Sequence, residues 1–165
     1  MDPYSSGTWS DFASAHIGAS SALLGLVFVG LSLNLSAILR APQLVDRAAE
    51  AVVLLGAVLA TSTAVLVPAQ ARLALGLELL VLGGVGLAAV AVLQRRIRET
   101  ASATPRAAIL LRRVCGLGAP VLVSVAGVSL LVEAGGGLYW WPAAIVLAYL
   151  GALVGAWVLL VEILR

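Results

Sequence analysis

Ile17-Gly-Ala-Ser-Ser-Ala-Leu-Leu-Gly-Leu-Val-Phe-Val-Gly-Leu-Ser-Leu-Asn-Leu-Ser-Ala-Ile-Leu39 contains no charged residue. About 20 helical residues cross the roughly 30 Å hydrocarbon core of a bilayer, so this stretch reads as a membrane span. Four more apolar runs follow, at about 51–67, 73–93, 114–132 and 142–164. None shows the period-2 alternation of barrel strands, and open backbone groups cannot be satisfied in lipid. The expected fold is all-α: a polytopic membrane protein with a bundle of five transmembrane helices, forming one integral membrane domain over 1–165. The composition agrees. Of 165 residues, 62% are hydrophobic and 11% charged, with a mean hydropathy of +1.10. Soluble domains carry about 25% charged residues. A soluble globular domain and a disordered chain are both excluded.

The breaks between runs carry turn chemistry. Pro68-Ala69-Gln70 reads as a tight turn between the second and third spans, and Gly135-Gly136-Gly137 as a flexible link between the fourth and fifth. Thr104-Pro105 reads as the N-cap and first residue of the fourth helix, and Pro142 as the first residue of the fifth. The N-terminus has no basic leader or obvious cleavage site, so the first span is expected to persist.

All ten basic residues are arginine. With the N-terminus outside and the C-terminus cytoplasmic, Arg40, Arg47, Arg95, Arg96, Arg98, Arg106, Arg112, Arg113 and Arg165 lie inside and only Arg72 outside. Trp9, Phe12, Tyr139, Trp140 and Trp141 then fall at the outer interface as anchoring rings. The polar segment at about 94–113 becomes an arginine-rich cytoplasmic loop. The arginine pattern is that of a membrane protein, and no nucleic-acid partner is read from the basic pI.

Chemistry-bearing residues are few. One cysteine and one histidine exclude a disulfide or a cysteine zinc site within the chain. There is no Ser/His/Asp set, phosphate loop or H-E-x-x-H, so no enzymatic activity, metal or cofactor is expected. Glu78 is an intramembrane carboxylate, a functional candidate by default. Counting back from the Ala69 turn places it level with Thr61, Ser62 and Thr63, either as a proton or cation site or as an acid cross-linking two helices. Asn34 reads as polar glue to a neighbouring helix. On the cytoplasmic side, Arg40, Arg47, Glu50, Glu162 and Arg165 suggest an ion network joining the first, second and fifth spans, or else snorkelling side chains. Ala144, Ala148, Ala152 and Ala156, with Gly151 and Gly155, form a small-residue stripe on the fifth span, suited to internal packing or to a homo-oligomer. Pro120 should kink the fourth helix. Cys115 reads as a packing residue beside Arg112 and Arg113.

Gly25-Leu-Val-Phe-Val-Gly-Leu-Ser-Leu-Asn-Leu35, Leu66-Val-Pro-Ala-Gln70, Gly137-Leu-Tyr-Trp-Trp141 and Ala156-Trp-Val-Leu-Leu-Val-Glu-Ile-Leu-Arg165 resemble a family of small actinobacterial membrane proteins. Some of its members are labelled modulators of the FtsH protease. Where that family is expected to carry Pro-Gly-Gln, this chain has Pro68-Ala69-Gln70. The resemblance implies the bacterial cytoplasmic membrane and a membrane AAA protease of FtsH type as partner, with the partner supplying ATP site and zinc. The expected function is to bind and regulate another membrane complex. The competing expectation is a small oligomeric channel or transporter for protons, cations or a small solute, using Glu78.

Overall fold

The computed structural model describes residues 3–40, 42–100 and 106–163, with side chains described throughout except at 37, 98–100, 106–108 and 158–163. A 3-10 turn at Ser6–Trp9 leads into α1 (Ser10–Leu33), followed by the one-turn α2 (Leu35–Ile38), then α3 (Pro42–Val65), α4 (Arg72–Thr100), α5 (Arg106–Val132), a second 3-10 turn at Gly137–Tyr139, and α6 (Trp140–Ile163). Five helices are long and apolar enough to span a membrane. The described residues contain no strand.

Helices α3, α4, α5 and α6 form a closed ring in which each packs on its chain neighbour and α6 returns to α3. Short connections make consecutive helices antiparallel, as in up-and-down bundles. Helix α1 leans on α3 from outside the ring. Leu26, Phe28, Val29 and Leu33 on α1 are exposed, as are Leu77, Val81 and Val85 on α4. Apolar side chains thus cover the outside of the bundle, where lipid is the solvent.

The first span breaks earlier than its sequence suggests. Asn34 Nδ2 donates to the Gly30 carbonyl at 3.0 Å, and α1 ends there. An asparagine side chain competes with the backbone for helix carbonyls. The second span starts at Pro42 rather than near Ala51, with proline in the first helical position it tolerates best. The expected loop at 94–113 is largely helix, since α4 continues to Thr100 and α5 begins at Arg106. Thr104-Pro105 lies outside the described residues. Helix α5 runs continuously through Pro120.

The closest helix contact is between α4 and α5. A Cβ on Gly127 would lie 2.7 Å from the Gly76 carbonyl oxygen and 2.7 Å from the Leu80 nitrogen. A Cβ on Gly83 would lie 2.8 Å from the Ser124 nitrogen. Hydrogen at these positions lets two backbones meet. Where lipid tails are as apolar as the core, such close packing drives helix association. Near the ring's centre a cavity of about 20 Å³ remains, lined by apolar residues and Thr61.

The turn at 66–71 holds Ala69 at φ 52°, in the left-handed region. A Cβ there costs on the order of 1–2 kcal/mol. Ala69→Gly is therefore expected to stabilise the protein by about 1 kcal/mol, read as a raised unfolding midpoint in detergent. Gly127→Ala should cost about 1–3 kcal/mol because the obstructing atoms are backbone. Gly84→Ala, with nothing within 4 Å of its Cβ position, is the matched control and should be neutral or mildly stabilising.

Candidate functional site

The polar centre of the molecule lies at the arginine-rich end. Glu50 sits on α3, two turns in from Pro42, and is only 6% exposed. Arg112 of α5 donates from Nε to Glu50 Oε2 at 2.7 Å. Its Nη2 lies 2.6 Å from the same oxygen, close in charge but off the hydrogen-bonding direction. Gln94 of α4 is 7% exposed. Its Nε2 donates to Glu50 Oε1 at 2.7 Å and to the Arg112 carbonyl at 3.2 Å. Three helices are tied by one carboxylate. Gly116 makes the room: a Cβ there would lie 2.8 Å from Glu50 Oε1 and would collide with Gln94 Nε2.

The sequence places Glu50 in the right region but gives it the wrong neighbours. Among the described residues its ion partner is Arg112, on α5, and the network around Glu50 joins α3, α4 and α5. Arg47 makes no ion pair among the described residues, and its Nε is buried without a hydrogen-bond partner. Arg40 is exposed. The Glu162 side chain and Arg165 lie outside the described residues. Gln94 was missed, although it carried a signal. Leu75, Leu79, Gly83, Gly86, Val90, Gln94 and Ile97 are buried at helical spacing, so a polar residue sits in the inward stripe of α4.

Glu78 is off that stripe. It is exposed and lines a shallow apolar groove with Leu77, Val81 and Leu82. None of the three hydroxyls expected beside it bonds to it among the described residues. Thr61 donates to the Ala57 carbonyl at 2.9 Å and accepts the indole N–H of Trp141 at 3.1 Å. Ser62 is buried, with no hydrogen-bond partner among the described residues. Thr63 is exposed and donates to the Leu59 carbonyl at 2.8 Å. Asn34 bonds within its own chain segment rather than to another helix.

The opposite end is closed by aromatic packing. Trp9 and Trp141 are 7% and 0% exposed, so these two rings pack inside the protein instead of anchoring at an interface. They meet edge to face at 6.4 Å, and Phe12 joins Trp141 at 5.3 Å. His16 Nδ1 lies 3.1 Å from the Tyr149 hydroxyl, linking α1 to α6. Pro3 accepts a hydrogen bond from the Leu138 amide at 2.9 Å. The glycine link is a hydrogen-bonded turn: Gly135, Gly136 and Gly137 all have positive φ, and Ser129 Oγ accepts from the Gly137 amide at 2.7 Å. Arg72 pairs with Glu133 at 2.5 Å and donates to the Leu130 carbonyl, capping α5 with a cation.

The α6 stripe faces inward. Ala144, Ala148 and Ala152 are buried, and a Cβ on Gly151 would lie 2.9 Å from Leu54 of α3 and 3.4 Å from Cys115. Cys115 is buried there as a packing residue. Among the described residues no three His, Cys, Asp or Glu side chains gather as metal ligands.

No protein-family model, curated protein sequence or solved structure gives a match to this chain.

Removing Glu50 leaves the half-buried Arg112 charge without its carboxylate. Glu50→Leu should cost about 3 kcal/mol in detergent unfolding, and the double change with Arg112→Met should recover more than half of that loss.

Proposed function

We propose that this protein is a non-enzymatic membrane subunit that binds and regulates another membrane complex through the outward face of α4 around Glu78. The observation carrying this reading is that Glu78 points away from its own bundle. It lies roughly 9 Å along α4 from Arg72, within a candidate span. A carboxyl group facing hydrocarbon costs several kcal/mol on common scales and calls for a partner. Its own chain supplies none among the described residues. A neighbouring helix with a hydrogen-bond donor at that depth would cover both the acid and the Leu77–Val81 groove.

The family resemblance supports a membrane AAA protease of FtsH type as that complex, in the bacterial cytoplasmic membrane. The arginine distribution supports an N-terminus outside and a cytoplasmic C-terminus. A second reading rests on the same carboxylate: several copies packed through α4 would enclose Glu78 in an oligomeric conduit. The apolar cavity at the centre of the bundle favours lateral docking over conduction through one chain.

A photocrosslinking residue at Val81 in native membranes tests this. The expected adduct contains a second membrane protein, and Glu78→Ala should reduce it about fivefold, the size of a roughly 1 kcal/mol intramembrane hydrogen bond. Adducts of this chain with itself would move the reading to the oligomeric conduit. Adducts with lipid alone would overturn both.

A further inference from the structure

Among the described side chains, the arginine-rich end holds more arginines than carboxylates. Among the described side chains, Arg40, Arg47, Arg95, Arg96, Arg112 and Arg113 lie there against two carboxylates, Asp46 and Glu50. Glu50 is committed to Arg112. Arg95 and Arg113 are exposed and make no ion pair among the described residues.

The depth of these groups is set by the helices. The Arg72–Glu133 ion pair marks the other end of the α4–α5 hairpin. Along α4 to Arg95, and back along α5 to Arg113, the separation is about 30–35 Å at the helical rise. That matches the hydrocarbon thickness of about 30 Å. Gln94 bonds the Arg112 carbonyl, so the adjoining Arg95 and Arg113 lie at one level. Val92, Leu110, Leu111 and Val114 beside them are exposed. Guanidinium groups bordered by apolar side chains, at the level where acyl chains give way to headgroups, meet phosphate oxygens with a planar fork of donors.

We propose that this end binds anionic phospholipids, with Arg95 and Arg113 receiving the headgroup and the exposed apolar side chains covering the upper acyl chain. The acyl contact commits the site to a lipid rather than to free phosphate. The site lies on a different part of the molecule from the Glu78 face and does not depend on it.

Native mass spectrometry of the full chain in neutral detergent, with equimolar phosphatidylglycerol and phosphatidylcholine, tests the proposal. The anionic lipid should be retained on the order of fivefold over the zwitterionic one. The preference should shrink in about 1 M salt, where screening acts within roughly 3 Å. Joint Arg95→Gln and Arg113→Gln changes should bring retention to parity with helical circular dichroism unchanged. Lysine at the same two positions should keep most of the preference. Equal retention of both lipids by the unaltered protein, or an unchanged preference in the glutamine variant, overturns the proposal. Displacement of the lipid by excess inorganic phosphate overturns its assignment to a lipid.

Discussion

Helices α4 and α5 touch backbone to backbone, and that contact sets the register of much else. Gly76, Gly83 and Gly127 bring the two helices within reach of atoms that a methyl group would strike. Once the register is set, Arg72 falls opposite the end of α5 and meets Glu133 and the Leu130 carbonyl. At the far end Gln94 falls opposite Arg112. A glycine contact in the middle of the membrane therefore positions a helix cap at one end and an ion network at the other. The physical basis is that lipid gives no hydrophobic reward for helix pairing, so close packing must supply it.

Helices α3 and α6 complete the ring in a related way. Trp141 is fully buried and hydrogen-bonded to Thr61, which satisfies an indole N–H that lipid would leave bare. Gly151 admits Leu54. The α6 stripe is thus spent on α3 and α5. Helix α1 is held mainly through its first half, by the aromatic cluster and His16–Tyr149. Much of the surface of its second half is left to the surroundings.

Glu50 and Glu78 are both glutamates within candidate spans, yet their surroundings are opposite. Glu50 is buried and neutralised by a cation and an amide from two other helices. It is a structural tie, since its oxygens are occupied. Glu78 is one helical step away from the inward stripe of α4 and faces out. A group already satisfied by its own chain has little to offer a partner, whereas an unsatisfied one within the membrane has a strong reason to find one.

The sequence by itself determined the class, the five spans and the region in which charges collect. Those follow from the apolar content of each stretch and from where arginines interrupt it. Turn residues were legible too, down to Pro68-Ala69-Gln70, where the structure puts Ala69 in a conformation glycine prefers. Only the tertiary structure decided which side of each helix faces in. That separated Glu78 from Thr61, moved Asn34 to a helix end, turned Trp9 and Trp141 inward, and gave Glu50 to Arg112 and Gln94 in place of Arg47. In water an inward face differs from an outward face by its hydrophobicity, and the pattern can be read. In a bilayer both faces are apolar, so helix orientation is set by close packing and by the pairing of a few polar groups between helices far apart in the chain.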